Sequence, residues 1–208
     1  MNELEIPTLL DDCLKELANV GSGHATGILS QLLNKRVKLG VPNIRFIKLN
    51  ALKEKHVEET ERVIAVYSQV HGNQISGNLI VIFPWQSSMK IKANMHKDNA
   101  SPVGSITKED ESMFKEIGDA LFQSYAEAIN NFLMVELKYS DSNFVMSSPN
   151  SLLDLIVNKD QKTPEYVLVV STDFNVEDTD IAGGLEISFI PEELDPLLQI
   201  VKKNLGIG

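Results

Sequence analysis

The order of elements legible over the first half of this chain begins again in the second, and a chain written twice has few ways to fold. Residues 7–34 carry Leu9, Leu10, Cys13, Leu14, Leu17 and Val20 at three- and four-residue spacing, the period of a helix with one apolar face. A strand is expected from Val41 to Leu49, entered through Pro42. Val63–Tyr67 and Leu79–Phe83 are rich in β-branched and aromatic residues around a Gly72-Asn73 turn signal, and read as a hairpin. A short helix over Ser87–Met95 closes this half.

The second half repeats the order. Ser105 to Asp110 offers hydroxyl and carboxylate caps for a helix beginning near residue 108, with Met113, Phe114, Ile117, Leu121 and Phe122 as its apolar face. A strand is expected over Val135–Tyr139, then a helical insertion near Ser151–Val157. Val167–Val170 and Leu185–Phe189 form a second hairpin, and a last helix runs from Pro191 or Glu192 to Asn204. Ser76–Pro84 resembles Ala182–Pro191, and Glu16 has Glu116 one hundred residues later. The expectation is an α+β fold: two αβββα units sharing a six-stranded antiparallel sheet with long helices packed on it. With no Pro/Ser-rich linker, residues 1–208 read as a single domain with pseudo-repeats at about 7–97 and 105–206.

Composition excludes several functions. Twenty-nine acidic residues against 19 basic ones, a formal net charge of −10, oppose binding to nucleic acid or an anionic membrane surface. No apolar run approaches the roughly 20 residues that span a bilayer. The acidic Met1–Glu5 start lacks the basic and apolar regions of a secretory signal, and one cysteine, Cys13, makes neither an intrachain disulfide nor a multi-cysteine metal site. A cytoplasmic protein is expected. His24, His56, His71 and His96 are scattered without paired-ligand spacing, and Glu177-Asp178-Thr179-Asp180 lacks the length and terminal Glu of a calcium loop, so it reads as a solvated turn. No cofactor bound by the chain is expected.

Asp12, Glu16 and Asn19, at i, i+4 and i+7, share one face of the first helix, opposite its apolar stripe. Alone, such a stripe is the solvated side of an amphipathic helix. Gly21, Gly23 and Gly27 follow within the same helical pattern, each costing about 1 kcal/mol relative to Ala. Something large is expected to approach the backbone there, either a neighbouring segment of the chain or a partner protein.

Asp12, Glu16, Asn19 and Pro42 have the spacing of the helix motif of the CheC/CheX/FliY family of chemotaxis phosphatases, and the stretch from Leu14 through the glycines to Ala25 resembles that family's helix. The resemblance extends over the whole chain. A second motif is degenerate: Ser112 and Glu116 match, but Asp119 stands at the Asn position and Ser142 at the Pro position. The resemblance implies hydrolysis of the aspartyl phosphate on a CheY-like receiver domain, with Mg²⁺ supplied by the receiver. Asn19 would orient the attacking water and Glu16 would hold the receiver's lysine, with Asp12 and Pro42 in support. A weak or silent second site is expected, because a carboxylate at Asp119 lacks amide donors and carries charge towards phosphate; Asp119 equally reads as a helix-solvating residue. The alternative is a non-catalytic adaptor that docks a receiver or a CheD-like deamidase.

Overall fold

The computed structural model describes residues 8–48, 62–72, 75–95, 104–148 and 166–189, together with Leu152, Gln199, Lys202 and Lys203. The first helix, α1, spans Thr8–Leu33, and its counterpart α3 spans Lys108–Leu133, so both have 26 residues and stand one hundred positions apart. That offset persists beyond the helices. Asn34 and Met134 both stop their helix in the left-handed region, at φ 49° and 52°. Just beyond, the Val37 N–H donates to Ser30 Oγ at 3.1 Å, while the Leu137 N–H donates to Asn130 Oδ1 at 2.7 Å. The same link thus pins the chain after each helix back onto that helix's last turns.

The strands are β1 (Val37–Leu39), β2 (Asn43–Lys48), β3 (Val63–Gly72), β4 (Ile75–Pro84), β5 (Lys138–Tyr139), β6 (Asn143–Ser147), β7 (Tyr166–Val176) and β8 (Ala182–Phe189); helix α2 is Trp85–Met95. The eight strands occupy six lanes of one antiparallel sheet, because β1 and β2 both pair with β7 while β5 and β6 both pair with β3. The lane order is β1/β2, β7, β8, β4, β3, β5/β6. Each half therefore lends its short strands to the other half's hairpin, and β4 meets β8 at the centre.

The expected strand Val41–Leu49 is thus replaced by two segments either side of a bulge. Leu39 faces Phe174 and Asn43 faces Ser171, which sets three residues, Gly40-Val41-Pro42, against two. Tyr139 faces Val70 and Asn143 faces Tyr67, giving Ser140-Asp141-Ser142 the same bulge. The Gly40 N–H donates to Asp173 O at 2.8 Å and the Ser140 N–H to Gln69 O at 2.9 Å. The expected strand at Val135–Tyr139 is correspondingly shorter, and β6 follows it. The helical insertion at 151–157 and the last helix at 191–204 lie, but for isolated residues, outside the described residues.

Both helices lie on one face of the sheet. Alternate strand residues such as Ile64, Val66, Val81, Leu168 and Val170 meet Leu14, Leu17, Leu29, Ile117 and Leu121 there. Phe83 of β4 lies 5.7 Å from Phe114 of α3 and 5.9 Å from Phe174 of β7, so the largest core contacts join the two halves. Residues of the opposite parity, Val63, Ala65, Ile80, Val167 and Val169, are buried with Leu152 on the other face.

Candidate functional site

The buried side of α1 includes Leu10, Leu14, Leu17, Ala25 and Leu29, which leaves Asp12, Glu16 and Asn19 exposed in a row on the outer side. At 100° per residue these three fall within an arc of about 60°, spread over about 10 Å of helix axis. Asp11 is engaged by Lys15 at 2.6 Å, whereas among the described residues no group hydrogen-bonds the Glu16 carboxylate or the Asn19 amide. A rigid helix thus presents an acceptor-only carboxylate and, one turn on, an uncharged amide with both donors and an acceptor. Beneath them the Cys13 thiol is buried, and burial followed by the Glu16 charge pushes it up to about 11, which keeps it protonated and inert as a nucleophile. Pro42 does not join this surface; it is buried in the bulge between β1 and β2.

The second stripe occupies the corresponding positions of α3. Ser112 and Glu116 are exposed and Asp119 is half-buried, while Ser142, at the Pro42 position, is buried with its hydroxyl unpartnered among the described residues. Burial, then the negative charges of Asp119 and Glu127, pushes the Tyr139 phenol up.

The three glycines of α1 divide by neighbour. A Cβ on Gly21 would stand 2.7 Å from the Tyr125 ring of α3, so this glycine lets the two long helices pack, the intramolecular alternative read from sequence. Around Gly23 and Gly27 a Cβ would meet nothing within 4 Å. Both are exposed and continue the line of Asp12, Glu16 and Asn19. Sequence reading singled these glycines out but missed their counterparts, Gln123 and Glu127, and the exposed Leu39 and Val41 that follow the helix. The constant offset of one hundred was the signal that could have found them.

Among the described residues no group of three or more potential metal ligands occurs, and no helix is long and apolar enough to cross a membrane. His24 and His71 are exposed. The acidic turn after β7 is held by ion pairs: Glu177 with Lys38 at 2.7 Å and Asp180 with Lys90 at 2.6 Å.

The fold is an internally repeated α+β scaffold with Glu16 and Asn19 exposed on its first long helix. The chain is 20% identical over 163 residues to the CheY-P phosphatase CheC of Bacillus subtilis (strain 168), a match spanning 77% of this chain and 78% of that protein. Its fold is similar to FliY of Thermotoga maritima, with a TM-score of 0.74 at 15% identity over 97% of this chain and 99% of that one. It is also similar to a chain of the CheX–CheY–BeF3–Mg²⁺ complex from Borrelia burgdorferi, with a TM-score of 0.55 at 10% identity over 84% and 98%. No protein-family model matches the chain. The chain is thus similar in sequence to a CheC protein and shares the fold of FliY and CheX chemotaxis proteins.

Proposed function

We propose that this protein hydrolyses the aspartyl phosphate of a CheY-like receiver domain at the exposed face of α1. The observation that carries the reading is the pair Glu16 and Asn19, exposed and without hydrogen-bond partners among the described residues, on a helix fixed by the core. The similarity to a CheY-P phosphatase and to a protein captured with CheY supports the choice of substrate.

An acyl phosphate is already activated, and the receiver's own Mg²⁺ offsets charge developing on the phosphoryl oxygens, so the phosphatase contributes mainly position. Asn19, inserted towards the phosphoryl group, accepts a hydrogen bond from the attacking water without bringing a negative charge. The water oxygen bonds to phosphorus as the bond to the aspartyl oxygen breaks; the receiver regains its carboxylate, and the water's proton leaves with the phosphate and solvent. Glu16 receives the receiver's lysine in a charge-assisted hydrogen bond that holds the pose. Asp12 extends the acidic edge, and Pro42 holds the bulge behind the helix. No cofactor of this chain takes part.

The test is dephosphorylation of purified phosphorylated receivers with Mg²⁺ present. Wild type is expected to accelerate it, and Asn19→Ala to lose on the order of 100-fold, the scale of one deleted positioning contact. Glu16→Ala is expected to raise KM more than it lowers kcat. An Asn19→Ala protein as active as wild type sinks the mechanism. Receiver binding without acceleration leaves the adaptor reading, which the exposed Glu116 of the degenerate second face also favours.

A further inference from the structure

The two long helices have the same length and corresponding places in the fold, so each is a control for the other. Their middles are written differently. Residues 21–27 of α1 read Gly-Ser-Gly-His-Ala-Thr-Gly, where residues 121–127 of α3 read Leu-Phe-Gln-Ser-Tyr-Ala-Glu. Each glycine weakens a helical turn about fivefold relative to alanine, because it has the most backbone freedom to lose. The one glycine of α3, Gly118, is explained by packing, since a Cβ there would run into Val66 of β3. Of the three in α1 only Gly21 is explained in this way, by Tyr125; at Gly23 and Gly27 a Cβ would meet nothing within 4 Å. Hydroxyls loosen the same stretch. Thr26 Oγ1 donates to the carbonyls of Ser22 at 2.9 Å and Gly23 at 3.1 Å, and Ser30 Oγ to that of Thr26 at 2.7 Å. Such back-bonding competes with the helical ladder for those carbonyls. In α3, Ala126 stands at the Thr26 position, and Asn130, at the Ser30 position, bonds forward to the backbone of Leu137 instead.

What holds this stretch comes from the other helix. The Tyr125 ring lies against Gly21, with three of its carbons 2.7 to 2.9 Å from where a Cβ would be. The residue is buried, and burial pushes its phenol far up from the ordinary value, an effect that the Ser22 side chain partly offsets. Ser22 Oγ is itself buried without a formal hydrogen bond among the described residues, and the phenol is the polar group set against it. At the equivalent positions the bulk is reversed, with Leu121 on α3 and Ala25 on α1. The turn held by Tyr125 is the one that carries Asn19. In an unbroken α-helix the Gly21 N–H bonds the Leu17 carbonyl and the Gly23 N–H bonds that of Asn19. Once that turn opens, Asn19 stands at the end of a helix and its amide loses its fixed direction. Glu16, a turn earlier and between the core residues Leu14 and Leu17, keeps its own.

We infer that residues 21–27 form a joint in α1 and that Tyr125 is a positioning residue: seated against Gly21 and Ser22, it keeps the joint closed and so fixes the direction of Asn19. The consequence for catalysis rests on the Glu16–Asn19 reading above; the joint and its clamp stand on the helices alone. The two halves are thereby unequal in a second way. One helix carries the exposed pair and the joint, and the other carries the clamp on a run of better helix formers.

Native-state hydrogen exchange on the full chain reads both helices in one experiment. Amides 21–28 are expected to exchange at least about tenfold faster than amides 121–128. Tyr125→Leu keeps a good helix former in α3 and takes the ring away from Gly21. It is expected to speed exchange at 19–28 by about tenfold or more while amides 108–118 stay within about threefold. Its kcat for receiver dephosphorylation is expected to fall about tenfold with KM within about twofold, the signature of a misdirected Asn19 beside an undisturbed Glu16. Tyr125→Phe, which keeps the ring, is expected to stay within about threefold of wild type in exchange and in kcat. Gly23→Ala/Gly27→Ala fills open space with a better helix former, so exchange at 21–28 is expected to slow at least about tenfold. Equal protection of the two stretches in wild type overturns the joint, as does an alanine variant that exchanges no more slowly. A Tyr125→Leu protein whose exchange rises alike over both helices overturns the clamp. One whose exchange rises at 19–28 while an active enzyme keeps its kcat overturns the positioning of Asn19. A wild type with the expected exchange pattern that never accelerates dephosphorylation leaves joint and clamp standing and removes the phosphatase reading instead.

Discussion

Asn34 and Met134 show how the same backbone demand is met by residues of unequal fitness. Both take the left-handed conformation that ends a long helix. Asn tolerates it through local hydrogen bonding of its short side chain, whereas an unbranched apolar residue is held there at a cost of about 1 kcal/mol. Met134 is 78% exposed, so it recovers little through burial. Met134→Asn is therefore expected to raise stability by about 1 kcal/mol, read as a higher urea midpoint with an unchanged slope. An unchanged or lowered midpoint contradicts this account. The proposed site residues are legible for a related reason. Asp12, Glu16 and Asn19 sit on one helix, where the 3.6-residue period alone brings them together. Pro42 comes from the bulge between β1 and β2, and no period in the sequence links it to that row.

Between elements, the start of α3 is held by an ion pair that the core encloses. Thr107 caps the helix, its N–H donating to Asp110 Oδ2 at 2.8 Å while the Asp110 N–H donates to Thr107 Oγ1 at 3.2 Å. Lys92 of α2 reaches the same carboxylate at 2.8 Å and donates to Ser105 O at 2.8 Å, with Asp110 fully buried. Burial alone pushes the Asp110 carboxyl up, but the hydrogen bonds from Lys92 and Thr107 outweigh it and hold the group below the ordinary aspartate range. A folded-state value below the unfolded one means stability is present in full above the unfolded pKa of about 3.9 and is lost as pH falls through the folded value. Lys92→Met leaves the buried carboxylate without its cation and is expected to cost about 3 kcal/mol near neutral pH. As pH falls below 4 and on through the lowered folded value of Asp110, the wild type loses this contribution and the two urea midpoints are expected to converge. A gap that stays constant from neutral pH to the acid limit of the folded protein would mean that Lys92 contributes packing and no charge. The cap residues were legible in the sequence between Ser105 and Asp110, but the lysine was not, because it arrives from a helix that turn signals place in the other half.

At the scale of the whole molecule, the duplication was readable from the order of elements and from Glu16 and Glu116, while the exchange of strands between halves was not. A hydrophobic period says that a segment is a strand with one face inward; it does not say which neighbour completes its hydrogen bonds. The polar Ser140-Asp141-Ser142 bulge also hid β6, whose alternation is interrupted before it begins. The consequence of the exchange is mechanical. Without residues beyond 100, β4 loses β8, β3 loses β5 and β6, and Phe83 loses both Phe114 and Phe174. Without residues before 101, β7 loses β1 and β2, and β8 loses β4. Each half would expose a bare hairpin edge beside an uncovered apolar face, a state prone to aggregate rather than fold. Fragments 1–100 and 101–208 are therefore expected to show no cooperative thermal unfolding by circular dichroism when separate. Refolded together from urea, they are expected to recover one cooperative transition, because the β7–β8 hairpin regains β1, β2 and β4. A first fragment that unfolds cooperatively on its own would show that the halves are independent units after all.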